Sequence, residues 1–393
     1  MGQEYILRLY DTDLLTFSLF EHGIEGLKAQ IHEINRAERG QFPLDMELSG
    51  AGLLKWLQRR VIPKNRAYVA EILKTLGLSV NDTKGIIDVC KGLSLNDSFW
   101  VVPQGFAGTF AQYNLYENRF SEILSLVAYT GIGQSDAAFT TSPELTTNGM
   151  LPKGWRFIEG DGIYLYKGGT SGAANAGNEP YSEFYASQIA QAMGLHAVRY
   201  ELENWKGIMA SRCKLFTDID TAYIPIGRIV REGGLKACLE YYEKLGPEAY
   251  GEIRSMLVFD AVIYNEDRHF GNFGVLRDNH SGAGLGAAPV FDNGVSLFNY
   301  AMPEDWTDID SCARTRGTAY GISFESVCRE VMGPVQARQL RGLIGFTFQR
   351  HPRLNLPEER LTAIERHVQK RVRQLLELAP IREKPKKRSE QER

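Results

Sequence analysis

The sequence predicts an α+β fold, with short strands crowded before about residue 211 and a mostly helical remainder. Three observations carry that expectation. Residues 5–10, 14–20, 155–158, 162–167, 197–202 and 206–211 are short apolar or alternating runs separated by polar turns, the pattern of paired strands. Residues 179–193, 248–264 and 356–378 instead repeat apolar side chains every three or four positions, the period of a helix that buries one face. Directly after the second of these helices, residues 265–276 read Asn-Glu-Asp-Arg-His-Phe-Gly-Asn-Phe-Gly-Val-Leu, and Pro-Val-Phe-Asp-Asn-Gly follows at 289–294.

The 393 residues suffice for two or three structural units and a large core. Hydrophobic residues make up 43% and charged residues 24%, the balance of an ordinary globular chain. With 45 Lys+Arg against 48 Asp+Glu, the net charge of −3 gives no global attraction to nucleic acid or to an anionic membrane, so neither contact is expected. Cys90, Cys213, Cys238, Cys312 and Cys328 are scattered, form no Cys-x-x-Cys pair and read as buried thiols of a reducing compartment. The N-terminal residues include Glu4, Arg8, Asp11 and Asp13 rather than the basic start and apolar middle of a signal peptide, and no apolar run reaches the length of a bilayer span. A cytoplasmic protein is the expectation.

In chain order, residues 5–10 and 14–20 flank Asp11-Thr12-Asp13 as a hairpin, and residues 27–34 add a third strand. Ser49 is placed to cap a helix running to Arg60, with Leu53, Leu54 and Leu57 on one face. A second helix spans residues 67–76 and stops at Gly77. Arg59, Arg60, Lys64, Arg66 and Lys74 read as a basic surface, more often solvated than bound to DNA. Residues 86–100 read as a connection, and Asn118 as the cap of a helix over 119–129 that Gly131 ends.

Residues 140–155 are rich in hydroxyls and turns, with Gly149 and Gly154, and precede a strand hairpin, a suitable place for phosphates to lie against backbone amides. Lys167 ends the second strand, where it can reach phosphates, and Glu183 in the helix 179–193 is the acid placed to hold it. Either residue is otherwise an ordinary surface charge. Residues 168–178 are small and polar, expected to form a mobile insert.

The motif at 265–294 supplies Asp267, Asn272 and Asp292 between apolar runs. Phosphoryl transfer from ATP asks for one carboxylate that accepts the acceptor's hydroxyl proton, and for a second carboxylate with an amide oxygen to hold magnesium against the phosphates. Asp267 suits the first role; Asn272 and Asp292 suit the second. His269 either orients Asp267 and donates to phosphates or fixes the loop through its backbone. Asp and Asn before Gly also serve as plain turn caps, but the complete set points to a phosphate site.

The order Asp, Asn, Asp resembles the catalytic loop and metal-binding Asp of protein kinases. Written as Asp-Arg-His-x-x-Asn, it is more similar to phosphoinositide kinases and to the bacterial HipA family of serine/threonine kinases, the latter over roughly residues 140–380. The HipA resemblance implies a two-lobed protein-kinase-like fold, with a β-rich N-lobe and a mainly helical C-lobe behind a small N-terminal α+β unit. The divisions it suggests are residues 1–105 for that unit, used for packing or partner binding, 106–139 for a connecting helical segment, 140–380 for the kinase domain and 381–393 for a charged, disordered tail.

It further implies ATP and Mg2+ as cofactors, a protein Ser or Thr acceptor, and an adenine-binding hinge for which Met209 and Cys213 are candidates by position. The family context adds the role of toxin in a toxin–antitoxin pair, with a helix-turn-helix antitoxin as partner, and self-phosphorylation at Ser142, Thr146 or Thr147. Other readings stay open: a lipid kinase, a kinase fold that binds without turnover, or a hydrolase whose metal is held by Asp267, His269 and Asp292.

Overall fold

The computed structural model describes residues 3–133 and 141–379. β1 (Gln3–Leu9), β2 (Thr12–Glu21) and β3 (Leu27–Ile34) form an antiparallel meander. Their alternation turns Tyr5, Leu7, Leu9, Phe17 and Leu19 to one side, where they pack on Leu53, Trp56 and Leu57 of α1 (Gly50–Gln58). That helix starts where Ser49 Oγ accepts the Gly52 N–H at 3.0 Å. After α2 (Val69–Lys74) and α3 (Thr83–Cys90), β4 (Phe99–Pro103) returns to pair antiparallel with β1, giving the order β3-β2-β1-β4.

The expected connection over 86–100 is therefore corrected. Residues 99–102 are buried on both faces, Phe99 and Val101 in one apolar cluster and Trp100 and Val102 in another, so the alternation that reveals a strand is absent. The basic surface is corrected as well. Arg60 is buried and bidentate to Asp97 at 2.7 Å, and Arg66 is buried against Glu144 at 2.5 Å.

α4 (Phe110–Tyr113) and α5 (Glu122–Thr130) carry the chain onward. The cap of α5 is Ser121, whose hydroxyl accepts the Leu124 N–H at 3.2 Å; the Asn118 amide instead donates to the carbonyls of Ala111 and Asn114. The end of the expected connecting segment, Thr140 of the phosphate loop and the expected tail at 381–393 lie outside the described residues.

β5 (Lys153–Ile158), β6 (Gly162–Lys167), β7 (Tyr200–Trp205) and β8 (Ile208–Lys214) form a second antiparallel sheet in the order β5-β6-β8-β7, backed by α6 (Glu179–Ala192). The small-residue stretch before α6 is tied down by polar contacts: Thr170 Oγ1 donates to Glu179 at 2.7 Å, and the Asn175 and Asn178 amides donate to the carbonyls of Tyr300 and Asn299.

β9 (Thr221–Pro225) then leads through α7 (Ile226–Ile229) and α8 (Gly234–Leu245) to α9 (Pro247–Ile263), and β10 (Gly274–Asp278) and β11 (Gly284–Ala287) complete a three-stranded sheet with β9 in the order β11-β10-β9. The remainder is helical: α10 (Ile309–Arg314), α11 (Phe324–Val331), α12 (Pro334–Arg341) and α13 (Glu358–Glu377). α9 lies at the centre and is buried from Ser255 to Ile263, while Leu361, Ile364, Val368, Val372 and Leu375 of α13 belong to the same core. All five cysteines are unpaired and four of them are buried. Among the described residues no helix is long and apolar enough to cross a membrane.

Candidate active site

Strand pairing places the first cations. In the β5–β6 register Lys153 stands opposite Lys167, and in the β6–β8 register Lys167 stands opposite Ser211. Two lysines directly opposed on a sheet repel each other, so both need anions or strong dipoles nearby. Lys167 Nζ has Glu183 Oε1 at 2.5 Å and Asp292 Oδ1 at 2.5 Å. Burial favours its neutral form, but these two carboxylates outweigh that and hold it charged. Lys153 has no carboxylate at ion-pair distance among the described residues; Nζ donates to the Asn148 carbonyl at 2.9 Å. Burial, reinforced by Lys167 and Arg66, pushes its pKa down to about 7.

Gly149 explains how Lys153 reaches that position. Its φ is +92°, and a Cβ there would overlap the lysine ammonium. The loop before β5 is held from beneath by the N-terminal unit: Arg66 donates to the Glu144 carboxylate and to the carbonyls of Glu144, Thr147 and Lys153. Glu144 Oε1 also accepts the Trp155 N–H at 2.6 Å. Of the hydroxyls considered for self-phosphorylation, Ser142 is buried, Thr146 donates to the Pro143 carbonyl at 3.3 Å, and Thr147 donates to the same carbonyl at 2.6 Å while accepting from Trp155 Nε1.

The loop after α9 lines the same cleft as Lys153 and Lys167. The helix ends at Tyr264, left-handed at φ 53°, and Asn265 Oδ1 accepts the Asp267 N–H at 3.0 Å. Arg268 is 1% exposed and organises the rest. It pairs with Asp260 of α9 at 3.0 Å, donates to the carbonyls of Asn272 and Phe291, and reaches Asn293 Oδ1 at 2.5 Å. A single guanidinium thus joins the helix, the Asp267 loop and the Asp292 turn.

Asn272 Nδ2 donates to the Asp267 carbonyl at 2.9 Å, which leaves its amide oxygen uncommitted among the described residues. His269 Nδ1 accepts the Gly271 N–H at 2.9 Å, so the ring proton sits on Nε2, 4.0 Å from Asp267 Oδ1. The histidine is thereby both a loop brace and an Asp267 neighbour. Asp267 is half-exposed; burial raises its pKa, opposed by His269 and reinforced by Asp292.

Asp292 takes a left-handed backbone, φ 57°, with its N–H donated to the Tyr200 hydroxyl at 3.1 Å. A non-glycine residue held in that region is strained, and such strain gathers at functional sites. Burial would raise its pKa, but Lys167 and Lys153 pull it down to about 2. The next residue, Asn293, gives its N–H to Glu183 Oε2 at 2.8 Å. Asn272 and Asp292 are the oxygen donors available here for a hard divalent cation. Among the described residues no cluster of three His, Cys, Asp or Glu is placed to hold a metal, and Asp267, His269 and Asp292 are not brought together as one.

These groups line one cleft of about 830 Å³. It is continuous with a smaller cavity of about 200 Å³ whose walls include Leu165, Val198, Cys213, Phe216 and Phe291. Burial pushes the Cys213 thiol up to about 12, so it acts as an apolar wall. Met209 is not in that lining: it pairs with Asn204 in the β7–β8 hairpin, and its carbonyl accepts from Tyr129. The segment that crosses from the second sheet to β9, residues 214–217, lines the cavity where Met209 was expected. Ser94, Leu95 and Asn96 of the N-terminal unit close the same cavity, anchored by Thr217 Oγ1 to the Leu95 carbonyl at 2.5 Å and by the Tyr223 N–H to the Asn96 carbonyl at 2.7 Å.

Sequence reading missed Lys153, Arg268 and residues 94–96. The signals available were a Lys four residues after Gly149 and an Arg inside the motif with Asp260 on an otherwise apolar helix face; nothing local marked residues 94–96.

The mixed α+β architecture, antiparallel sheets with helices, matches a HipA-like kinase fold. Among solved structures, the chain is similar to HipA of Shewanella oneidensis MR-1, determined as a toxin–antitoxin complex with HipB and its operator DNA. That match has 12% identity and a TM-score of 0.55, and it covers 95% of this chain and 99% of that one. A further match is the Helicobacter pylori proinflammatory kinase CtkA, at 17% identity and a TM-score of 0.46, covering 60% of this chain and 93% of that one. No family model matches the sequence. No curated protein matches it either.

Proposed function

We propose that this chain is an ATP- and magnesium-dependent protein serine/threonine kinase of the HipA-like type. The observation that carries the reading is Lys167, buried and bound at 2.5 Å to both Glu183 and Asp292, in the same cleft that Asp267 and Asn272 line. Lys153 and Lys167 offer two cations to the phosphates, and the cavity walled by Leu165, Phe216 and Phe291 offers the apolar faces a base requires. Ser211 Oγ, buried on this cleft without a hydrogen-bond partner among the described residues, is one more polar group suited to a ligand.

Magnesium held by Asn272 and Asp292 would neutralise phosphate charge. Asp267 accepts the proton of the acceptor hydroxyl, with His269 Nε2 favouring its ionised form, and Lys167 aligns the phosphates while Glu183 fixes the lysine. The acceptor is a protein Ser or Thr hydroxyl, and the site of action is the cytoplasm. The intact Asp267, Asn272 and Asp292 speak against a fold that binds without turnover.

The test is incubation of wild type and Asp267→Asn with magnesium and γ-labelled ATP, read by intact mass and gel autoradiography. Label on the wild type alone is expected, whereas equal labelling of both would reject the assignment. Asp292→Asn should weaken magnesium-dependent ATP binding in addition to transfer.

A role as a toxin held by a helix-turn-helix antitoxin is a second reading, favoured by the end-to-end similarity to HipA, itself solved with HipB. Expression of wild type, but not of Asp267→Asn, should then arrest growth, and a co-expressed helix-turn-helix antitoxin should relieve the arrest.

A further inference from the structure

The cleft carries a second group of cations apart from the two lysines. Arg228 and Arg231 line it, as do Asp267 and His269. Arg228 lies in α7, and its neighbour Gly227 donates its N–H to the Phe270 carbonyl at 2.9 Å, so this short helix is docked directly on the Asp267 loop. Arg59, at the end of α1 in the N-terminal unit, approaches the same place. The three guanidiniums surround one acidic residue. Asp45 Oδ2 is 3.4 Å from Arg228 and 3.8 Å from Arg59, and the Asp45 carbonyl is 3.5 Å from Arg231.

That carboxylate also accepts from Trp56 Nε1 at 3.2 Å, and no other carboxylate among the described residues comes within ion-pair distance of the three. Arg228 and Arg59 share one carboxylate through long contacts, Arg231 has only the backbone carbonyl of the same residue, and two positive charges stay unmatched. Burial, and then the charge of Arg228, lowers the pKa of Arg59, as an under-neutralised cluster requires.

Arginine forks bind carboxylates in bidentate fashion; Arg228 and Arg231 line the same cleft as Asp267, to which the kinase reading assigns the acceptor, while that reading assigns the phosphates to Lys153 and Lys167. An acidic segment would otherwise be repelled by Asp267 itself. We propose that Arg228 and Arg231 select acceptor segments in which acidic side chains flank the Ser or Thr, an inference that rests on the kinase reading above.

The experiment uses two fluorescent Ser peptides, one with Asp and Glu flanks and one with Asn and Gln in their place. Each is titrated into the full chain with magnesium and a non-hydrolysable ATP analogue. Wild type should bind the acidic peptide about tenfold more tightly, an advantage that shrinks with added salt. Arg228→Gln/Arg231→Gln should remove the preference without changing affinity for the ATP analogue. Arg231→Glu, at an exposed position that tolerates exchange, should remove or invert it. Equal binding of the two peptides by wild type, retention of the preference in both variants, or loss of ATP-analogue affinity in either would overturn the proposal. Failure of the kinase reading shows in a different signal, the absence of ATP-analogue binding or label transfer by wild type.

Discussion

Lys153 and Lys167 face each other across one strand pair, yet their surroundings drive them apart. Lys167 has two carboxylates at 2.5 Å and stays charged; Lys153 has a carbonyl dipole, and burial brings it to about 7. A lysine whose folded pKa lies below its unfolded value of about 10.4 opposes folding when protonated, with the full penalty below pH 7, relieved as pH rises toward 10. Lys153→Met should therefore stabilise the chain most at acid and neutral pH, which denaturant titrations at pH 6 and pH 9 would reveal. Phosphates brought beside Lys153 restore its charge, so ATP binding near pH 8 should take up a proton. Calorimetry in two buffers of different ionisation heat measures that uptake, and Lys153→Met should abolish it while weakening ATP by roughly tenfold or more. Asp267 is shifted the other way from an ordinary carboxylate, upward by burial. Transfer should thus fail on acidification at a pH above the usual carboxylate range, and His269→Ala should move that limb higher still, because His269 favours the ionised form.

The Asp267 loop is rigid because one buried arginine satisfies groups from three segments. Asp260, Asn272, Phe291 and Asn293 all bond Arg268, so the loop and the Asp292 turn cannot move independently. Removing Asp260 leaves that guanidinium buried without its counter-charge. Asp260→Ala should cost about 3–5 kcal/mol in denaturant titration, whereas Asp267→Asn, at a half-exposed side chain, should stay within about 0.5 kcal/mol. A similar loss for both variants would mean that Asp267 serves folding rather than chemistry. The motif was readable because its residue types are consecutive and sit between apolar runs. The role of Arg268 was not, since its partners are contributed by α9 and by a turn more than twenty residues later.

The N-terminal unit is built into the cleft. Arg66 holds the loop that carries Gly149, residues 94–96 close the apolar cavity, and Arg277 of β10 donates to the carbonyls of Gly40 and Phe42. Arg66→Ala would leave Glu144, 0% exposed, as an uncompensated buried carboxylate. It should lower stability by about 3–5 kcal/mol and raise the Kd for ATP, read by thermal melts with and without nucleotide. A variant that melts lower but binds ATP as wild type would separate the ion pair from the site.

The α+β class, the strand hairpins expected at 155–167 and 197–211, the second with its turn at 206–207 rather than 204–205, the helices α6, α9 and α13 and the HipA-like kinase resemblance were readable from the chain, because each rests on a local period or on a short motif. What no local pattern carried was the membership of β4 in the first sheet, the burial of Arg60 and Arg66, the pairing of Lys153 with Lys167 and the crossing of residues 214–217 into the cavity in place of Met209. A strand buried on both faces loses its alternation, and an arginine in a polar stretch looks solvated until its carboxylate arrives from 78 residues away. The chemistry of the cleft is written in side-chain types along the chain, but which charges meet depends on strand register and on how the first hundred residues pack against the rest.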